Sequence, residues 1–227
     1  MPKKETALPF TRAIIFDMDG VLFHSEPEHM RQMEQVMRSK GYPVSQRTLL
    51  ATVGTSIGET CRILKEGSGF PRAMEEILEA YRLWAAEHPV PYHLLADKDA
   101  LPVLEELSAR GYLLGLATSS SRETVERALA STKLRRLFLC TVSRDDVTHK
   151  KPDPECYLLA ASLLGVEPKA CLAVEDTRVG LIAARAAGMS VLGRAREYPQ
   201  DFTGANGVVE NMSELLDWAL PLQSQFR

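Results

Sequence analysis

Two aspartates one residue apart, followed by glycine, close an apolar run in Phe16-Asp17-Met18-Asp19-Gly20-Val21-Leu22. Carboxylates serve as nucleophiles, proton carriers or ligands of hard cations. Residues i and i+2 of an extended segment point to the same side, so both acids can face one ligand while Gly20 turns the backbone sharply away. By itself the tetrapeptide reads first as a turn, because Asp and Gly dominate turns. A site needs partners from elsewhere in the chain.

The carboxyl ends of the other predicted strands supply them: Thr118 and Ser119, Lys151 in a loop, then Glu175 and Asp176. Two like charges ~4 Å apart repel by about 4 kcal/mol at a typical effective dielectric, so clustered Asp17, Asp19 and Asp176 require a counter-charge. A divalent cation meets that need, and an all-oxygen donor set without His or Cys suits magnesium. Cys61, Cys140, Cys156 and Cys171 form no Cys-x-x-Cys pair and the five histidines show no ligand spacing, which predicts reduced packing cysteines and no zinc site.

The elements that position these residues follow from periodicity. Ala13-Ile14-Ile15-Phe16 is a short apolar run of the kind a buried parallel strand shows. From about Tyr92 onward helix and strand alternate: helix 100–110, strand 112–117, helix 122–131, strand 138–142, helix 154–164, strand 171–174, helix 179–187 and strand 190–192. This predicts an α/β fold, a doubly wound (Rossmann-like) parallel sheet with an inserted all-helical cap domain. Residues 1–23 and 91–227 form the expected core and residues 24–90 the insertion, with helical patterns after Ser25, through 49–64 and through 73–87. Ser25 with Glu28, and Ser120 with Glu123, read as capping boxes, and Gly111, Gly165 and Gly188 as helix stops. The ends before Phe10 and beyond Trp218 are expected to fray.

A length of 227 residues allows a sizeable core, and a net charge of −3 gives no basic footprint for nucleic acid or anionic membrane. No run approaches a membrane span, and Met1 to Arg12 lacks the apolar stretch of a signal peptide, so the expected compartment is the cytoplasm. The expected state is a monomer or small homo-oligomer.

In order, Asp17-Met18-Asp19-Gly20, Thr118-Ser119, Lys151-Pro152 and Glu175-Asp176 resemble the four motifs of the haloacid dehalogenase superfamily, and the chain is most similar to its beta-phosphoglucomutase and phosphoglycolate phosphatase-like branch. The resemblance extends over nearly the whole chain, through flanks such as Ser25-Glu26-Pro27 and Lys151-Pro152-Asp153-Pro154. It implies a Mg2+-dependent phosphatase in which Asp17 is the nucleophile and forms an aspartyl phosphate. Asp19 would be the acid/base and a metal ligand through its carbonyl. Thr118, Ser119 and Lys151 would bind the transferring phosphoryl group. Asp17 and Asp176 would hold the metal directly, with Glu175 acting through water or as an orienting neighbour.

Some positions depart from the family pattern or read two ways. Lys150 stands where relatives commonly carry glycine, and Lys98-Asp99 where Pro-Gly is frequent. His29 matches a mutase-branch histidine and reads equally as surface or hinge packing. Gly54-Thr55-Ser56-Ile57-Gly58-Glu59 resembles the substrate loop of the cap, with Ile57 where mutases place a phosphate-binding arginine. The partner implied is a small-molecule phosphate ester as substrate: a sugar phosphate, phosphoglycolate or a nucleotide. The alternative is a beta-phosphoglucomutase, and a distant one is a non-catalytic receiver-like phosphorylation module, which is roughly half this length.

Overall fold

The first strand, β1 (Ala13–Phe16), is buried at all four residues, as a strand with both faces covered must be. It pairs in parallel with β2 (Leu113–Ala117) on one side and β4 (Cys171–Glu175) on the other, with Ala13 opposite both Leu113 and Cys171. The sheet is completed by β3 (Cys140–Val142), β5 (Ser190–Arg194) and β6 (Gly207–Val209), in the order β3-β2-β1-β4-β5-β6, all parallel. Strand order therefore reverses between β1 and β4, and the crevice beyond their carboxyl ends is where such sheets bind ligands. These observations, in a computed structural model describing residues 11–219 apart from 56 and 199, agree with the doubly wound fold the sequence predicts. The segments before Phe10 and, Ala219 aside, beyond Trp218 lie outside the described residues.

Helices α6 (Ala100–Ala109), α7 (Arg122–Ala130), α8 (Glu155–Leu164) and α9 (Arg178–Ala186) make the crossovers. Tyr157, Ala160 and Leu181 from α8 and α9 pack in one buried cluster with Ile15, Ala173 and Val191 of the sheet. Gly111, Gly165 and Gly188 all take positive φ just past their helices. The sixth strand has too few residues, Gly207-Val208-Val209, to show a strand pattern in the sequence. It is held from outside its own pattern: Asn206 exchanges two hydrogen bonds with Val191, and the Trp218 ring lies where a side chain at position 207 would be. Strand β3 starts at Cys140, two residues later than expected, because Lys133–Leu137 coils into a 3-10 turn capped by the Thr132 hydroxyl.

The described residues form two compact units, 11–24 with 92–219, and 25–91. The second is entirely helical among its described residues, with α1 (Glu26–Ser39), α2 (Gln46–Leu50), α3 (Ile57–Ser68) and α4 (Met74–Glu87). Its core joins Met33, Met37, Leu49, Leu64, Phe70 and Ile77. The single helical pattern expected over 49–64 is broken after Leu50, where Gly54 takes a φ of 70°. The two expected capping boxes also give way to other arrangements. Ser25 occupies the N-cap of α1 in helical geometry and makes no side-chain cap bond, while Glu28 engages Arg31 and Gln32. At α7 the capping serine is Ser121, which accepts from Thr124 N.

Short α5 (Tyr92–Leu95) returns the chain to the sheet unit. The outgoing and returning segments pair there, His24 N donating to Leu95 O at 2.7 Å and Asp97 N to Leu22 O at 2.8 Å. No helix among the described residues is long and apolar enough to cross a membrane.

Leu181 is fully buried between α9 and the sheet. Leu181→Ala is expected to cost about 2–5 kcal/mol, seen as a lower urea midpoint by circular dichroism; an unchanged midpoint would contradict its place in the core.

Candidate active site

Apart from Lys151, each sequence-predicted residue sits at or just beyond a strand end, so the parallel sheet itself gathers them. Asp17 extends the ladder past β1, its N–H donating to Val174 O at 2.9 Å, and Thr118 does the same past β2 toward Val142 O. Lys151, from the loop before α8, carries the ammonium inward. Its Nζ donates to Asp17 Oδ1 and Glu175 Oε1, both at 2.6 Å, and to Ala117 O at 3.0 Å. Only 4% of its side chain is exposed, whereas the neighbouring Lys150 is exposed, so the two lysines have opposite fates.

Tyr157, which carries no motif signal in the sequence, completes this group. Its hydroxyl donates to Glu175 Oε1 at 2.7 Å and lies 3.3 Å from Lys151 Nζ, and the ammonium sits 4.9 Å above its ring. On α8 it falls at helical spacing with Ala160 and Ala161, so its apolar neighbours hide its polar role. Glu175 has both oxygens engaged, Oε1 as above and Oε2 by Asp176 N, Thr177 N and the Thr177 hydroxyl. It thereby orients Lys151 and the start of α9. A Cβ at Gly180 would fall 1.8 Å from the Glu175 carboxylate, so the helix admits this acid only through glycine.

Asp176 is buried and receives the Tyr198 hydroxyl on Oδ2 at 3.1 Å, while Gln200 Nε2 donates to its carbonyl at 2.9 Å. Gly20, with a φ of 74°, lies against it so closely that a Cβ would be 1.9 Å from Oδ2. One carboxylate oxygen from each of Asp17, Glu175 and Asp176 lies within 4.8 Å of the other two. With one ammonium among three buried acids the group carries a surplus of negative charge. That surplus and a donor set made only of oxygen fit a hard divalent cation.

Burial is the main cause that pushes the Asp17 carboxyl up to about 8; Lys151 opposes it and the charge of Glu175 adds to it. The two carboxylates beside Lys151 outweigh its own burial and hold the ammonium well above its usual range. One ammonium facing two buried carboxylates explains the direction for Lys151, while for Asp17 burial and the charge of Glu175 outweigh that same ammonium.

The Asp19 carboxylate takes a different environment, accepting from Tyr92 OH on Oδ1 at 3.1 Å and from Ser120 Oγ on Oδ2 at 2.7 Å. Ser120 therefore faces the acid pair and does not cap α7 as the sequence suggested. Thr118 Oγ1 accepts from Ser120 N at 3.1 Å, and Ser119 is exposed at the turn between them. Arg196 grips the turn after Asp19, Nε donating to Gly20 O at 2.5 Å and Nη2 to Val21 O at 2.9 Å. It shares Asp97 with Arg194, so the returning segment at Lys98-Asp99 is anchored by charge where relatives are expected to use Pro-Gly.

Within the helical unit, His29 Nδ1 lies 3.1 Å from the Tyr81 hydroxyl. Of the expected 54–59 loop, Ile57 to Glu59 instead begin α3; the Thr55 hydroxyl lies 2.8 Å from that of Thr60 in the helix, Ile57 is 42% exposed, and residue 56 lies outside the described residues.

Comparison with known proteins agrees with this geometry. Residues 14–194 match the family described as Haloacid dehalogenase-like hydrolase. Over 224 residues the chain is 31% identical to Protein CbbY of Rhodobacter capsulatus, covering 92% of this chain and 97% of that one. It is 34% identical over 212 residues to Hexitol phosphatase B of Escherichia coli O157:H7, covering 89% and 93%. Among solved structures, CbbY from Rhodobacter sphaeroides in complex with phosphate superimposes with a TM-score of 0.72 at 26% identity, covering 91% and 96%.

The raised pKa of Asp17 yields a stability prediction. A carboxyl whose native pKa exceeds its unfolded value of 3.8 holds its proton more tightly when folded, so ionising it weakens the fold. Stripped of divalent cations, the protein is expected to lose stability as pH rises from about 4 to about 8, and Asp17→Asn to flatten that loss. Equal slopes for the two proteins in thermal melts would contradict the assignment.

Proposed function

We propose, on the premise that the chain belongs to the haloacid dehalogenase-like hydrolases and is a phosphoric monoester hydrolase, that it hydrolyses a small sugar or polyol phosphate with Mg2+ through an aspartyl phosphate on Asp17. The observation that carries this reading is Lys151 Nζ, 2.6 Å from both Asp17 and Glu175 in a buried cluster with Asp176. Such an ammonium holds the nucleophile and offers positive charge to an incoming phosphoryl group.

Asp17 and Asp176, with the carbonyl of Asp19, would hold the cation, which supplies charge neutralisation to phosphoryl oxygens when bound. In the first step an Asp17 oxygen forms a bond to phosphorus as the ester P–O bond breaks, and protonated Asp19 gives its proton to the departing oxygen. Water then attacks the phosphorus, Asp19 takes its proton, and the acyl phosphate bond breaks to return Asp17 as carboxylate and release inorganic phosphate. Thr118 through its hydroxyl, Ser119 through its N–H and Lys151 bind the phosphoryl oxygens. Because Thr118 Oγ1 already accepts from Ser120 N, its own proton is the one presented to substrate.

The helical unit departs from the chain directly after the turn that bears Asp19, and this connectivity supports a role for it as a substrate cap. The name of the Hexitol phosphatase B relative supports a phosphorylated sugar or sugar alcohol as substrate class. Ile57, unable to make the bidentate contact of an arginine, favours hydrolysis over the mutase alternative.

A phosphate-release screen over sugar and polyol phosphates with Mg2+ is expected to find turnover that chelation abolishes. Glucose 1-phosphate should yield inorganic phosphate; accumulation of glucose 6-phosphate in its place would establish the mutase. Asp17→Asn is expected to lose at least about a thousandfold in kcat while keeping its circular dichroism, and appreciable residual turnover would remove Asp17 as nucleophile.

A further inference from the structure

The proton carrier of a two-step phosphoryl transfer must reach first the departing oxygen and then water, and small errors of placement are costly in rate. Asp19 receives a hydroxyl on each carboxylate oxygen, from two segments distant in sequence: Tyr92 on Oδ1 at 3.1 Å and Ser120 on Oδ2 at 2.7 Å. With both oxygens held, the carboxylate plane is set as well as its position.

Each donor is itself braced against the catalytic loops. The Tyr92 ring, 1% exposed, meets Phe23 edge-on with centroids 5.1 Å apart. Phe23 bridges back to Asp19, and its carbonyl accepts from Gly20 N at 2.8 Å. A closed circuit thus runs from the Asp19 backbone through Phe23 and Tyr92 to the Asp19 carboxylate. Ser120 is fixed by its N–H on Thr118 Oγ1 and by its carbonyl, which accepts from Arg144 N at 3.0 Å. A buried phenol needs an acceptor, so Tyr92 alone could be read as satisfying itself. Half-buried Ser120 has no such need, and the two donors converge on opposite oxygens of one acid.

We infer that Tyr92 and Ser120 are positioning residues for Asp19, serving proton transfer to the departing oxygen and not the binding of the phosphoryl group. This rests on the reading of Asp19 as the proton carrier. Tyr92 is also the residue at which the chain returns from the helical insertion, so the Oδ1 donor is set by the re-entry segment and the Oδ2 donor by the loop after β2.

The test measures kcat/KM, which reports steps up to departure of the leaving group, for substituted phenyl phosphates with the full chain and Mg2+. Tyr92→Phe and Ser120→Ala are each expected to lose about tenfold more on phenyl phosphate than on p-nitrophenyl phosphate, whose phenolate leaves with little need of a proton. Added to Asp19→Asn, neither is expected to bring further selective loss. Equal losses on every ester, or selective losses that persist without Asp19, would overturn the proposal. Two variants in separate segments, each checked by circular dichroism, keep the test intact if one misfolds. Hydrolysis surviving Asp17→Asn would instead bring down the underlying phosphatase reading. An inert Asp17→Asn, with a steeper leaving-group dependence in Asp19→Asn, upholds that reading, and the leaving-group slopes of Tyr92→Phe and Ser120→Ala then decide the positioning roles.

Discussion

A single ammonium held between two buried carboxylates is the contact on which the site is built. Lys151 Nζ reaches Asp17 and Glu175 at 2.6 Å each, and Ala117 O and Tyr157 OH accept what remains of its donor capacity. Burying such a cluster is costly unless every member is hydrogen-bonded, and removing one partner from a buried pair typically costs about 3–5 kcal/mol. The protein meets the requirement by drawing donors and acceptors from β1, β2, β4 and α8, which makes the site inseparable from the sheet.

The same constraint explains where glycine is required. Glu175 and Asp176 lie side by side at the end of β4, and each is approached by backbone that leaves no room for a Cβ, at Gly180 and Gly20 respectively. A side chain at position 20 would collide with Asp176 and would also have to accept a φ of 74°. The turn after Asp19 is thus pressed against Asp176 on one side and gripped through its carbonyls by Arg196 on the other. Arg196 and Arg194 share Asp97 from the returning segment, so the loops after β1 and β5 and the re-entry point are joined by one buried charge cluster.

The two opening aspartates have distinct surroundings although one residue separates them. Asp17 faces an ammonium and other acids inside the sheet end, where burial raises its pKa. Asp19 faces two neutral hydroxyls. Two carboxyls in unlike environments can take unlike roles, the arrangement by which one site runs both nucleophilic and proton-transfer chemistry.

Much of this was legible in the chain itself. Apolar runs of strand length alternating with helical stripes specify a parallel sheet, because parallel strands must be buried on both faces and joined by crossovers. Polar residues directly after those runs therefore converge in space, and Asp17, Thr118, Glu175 and Asp176, with Lys151 marked by its place before Pro152 in a loop, needed no tertiary information to be singled out. The residues that serve them did need it. Tyr157 is disguised by apolar helix neighbours, Ser120 sits in a run of three serines any of which could cap α7, and Tyr92 and Tyr198 meet their aspartates across 73 and 22 positions. Strand β6 depends on Asn206 and Trp218, not on its own three residues. Local sequence determines periodicity, and periodicity determines which strand ends meet; hydrogen bonds between distant side chains depend on packing geometry, and that exists only once the sheet has formed.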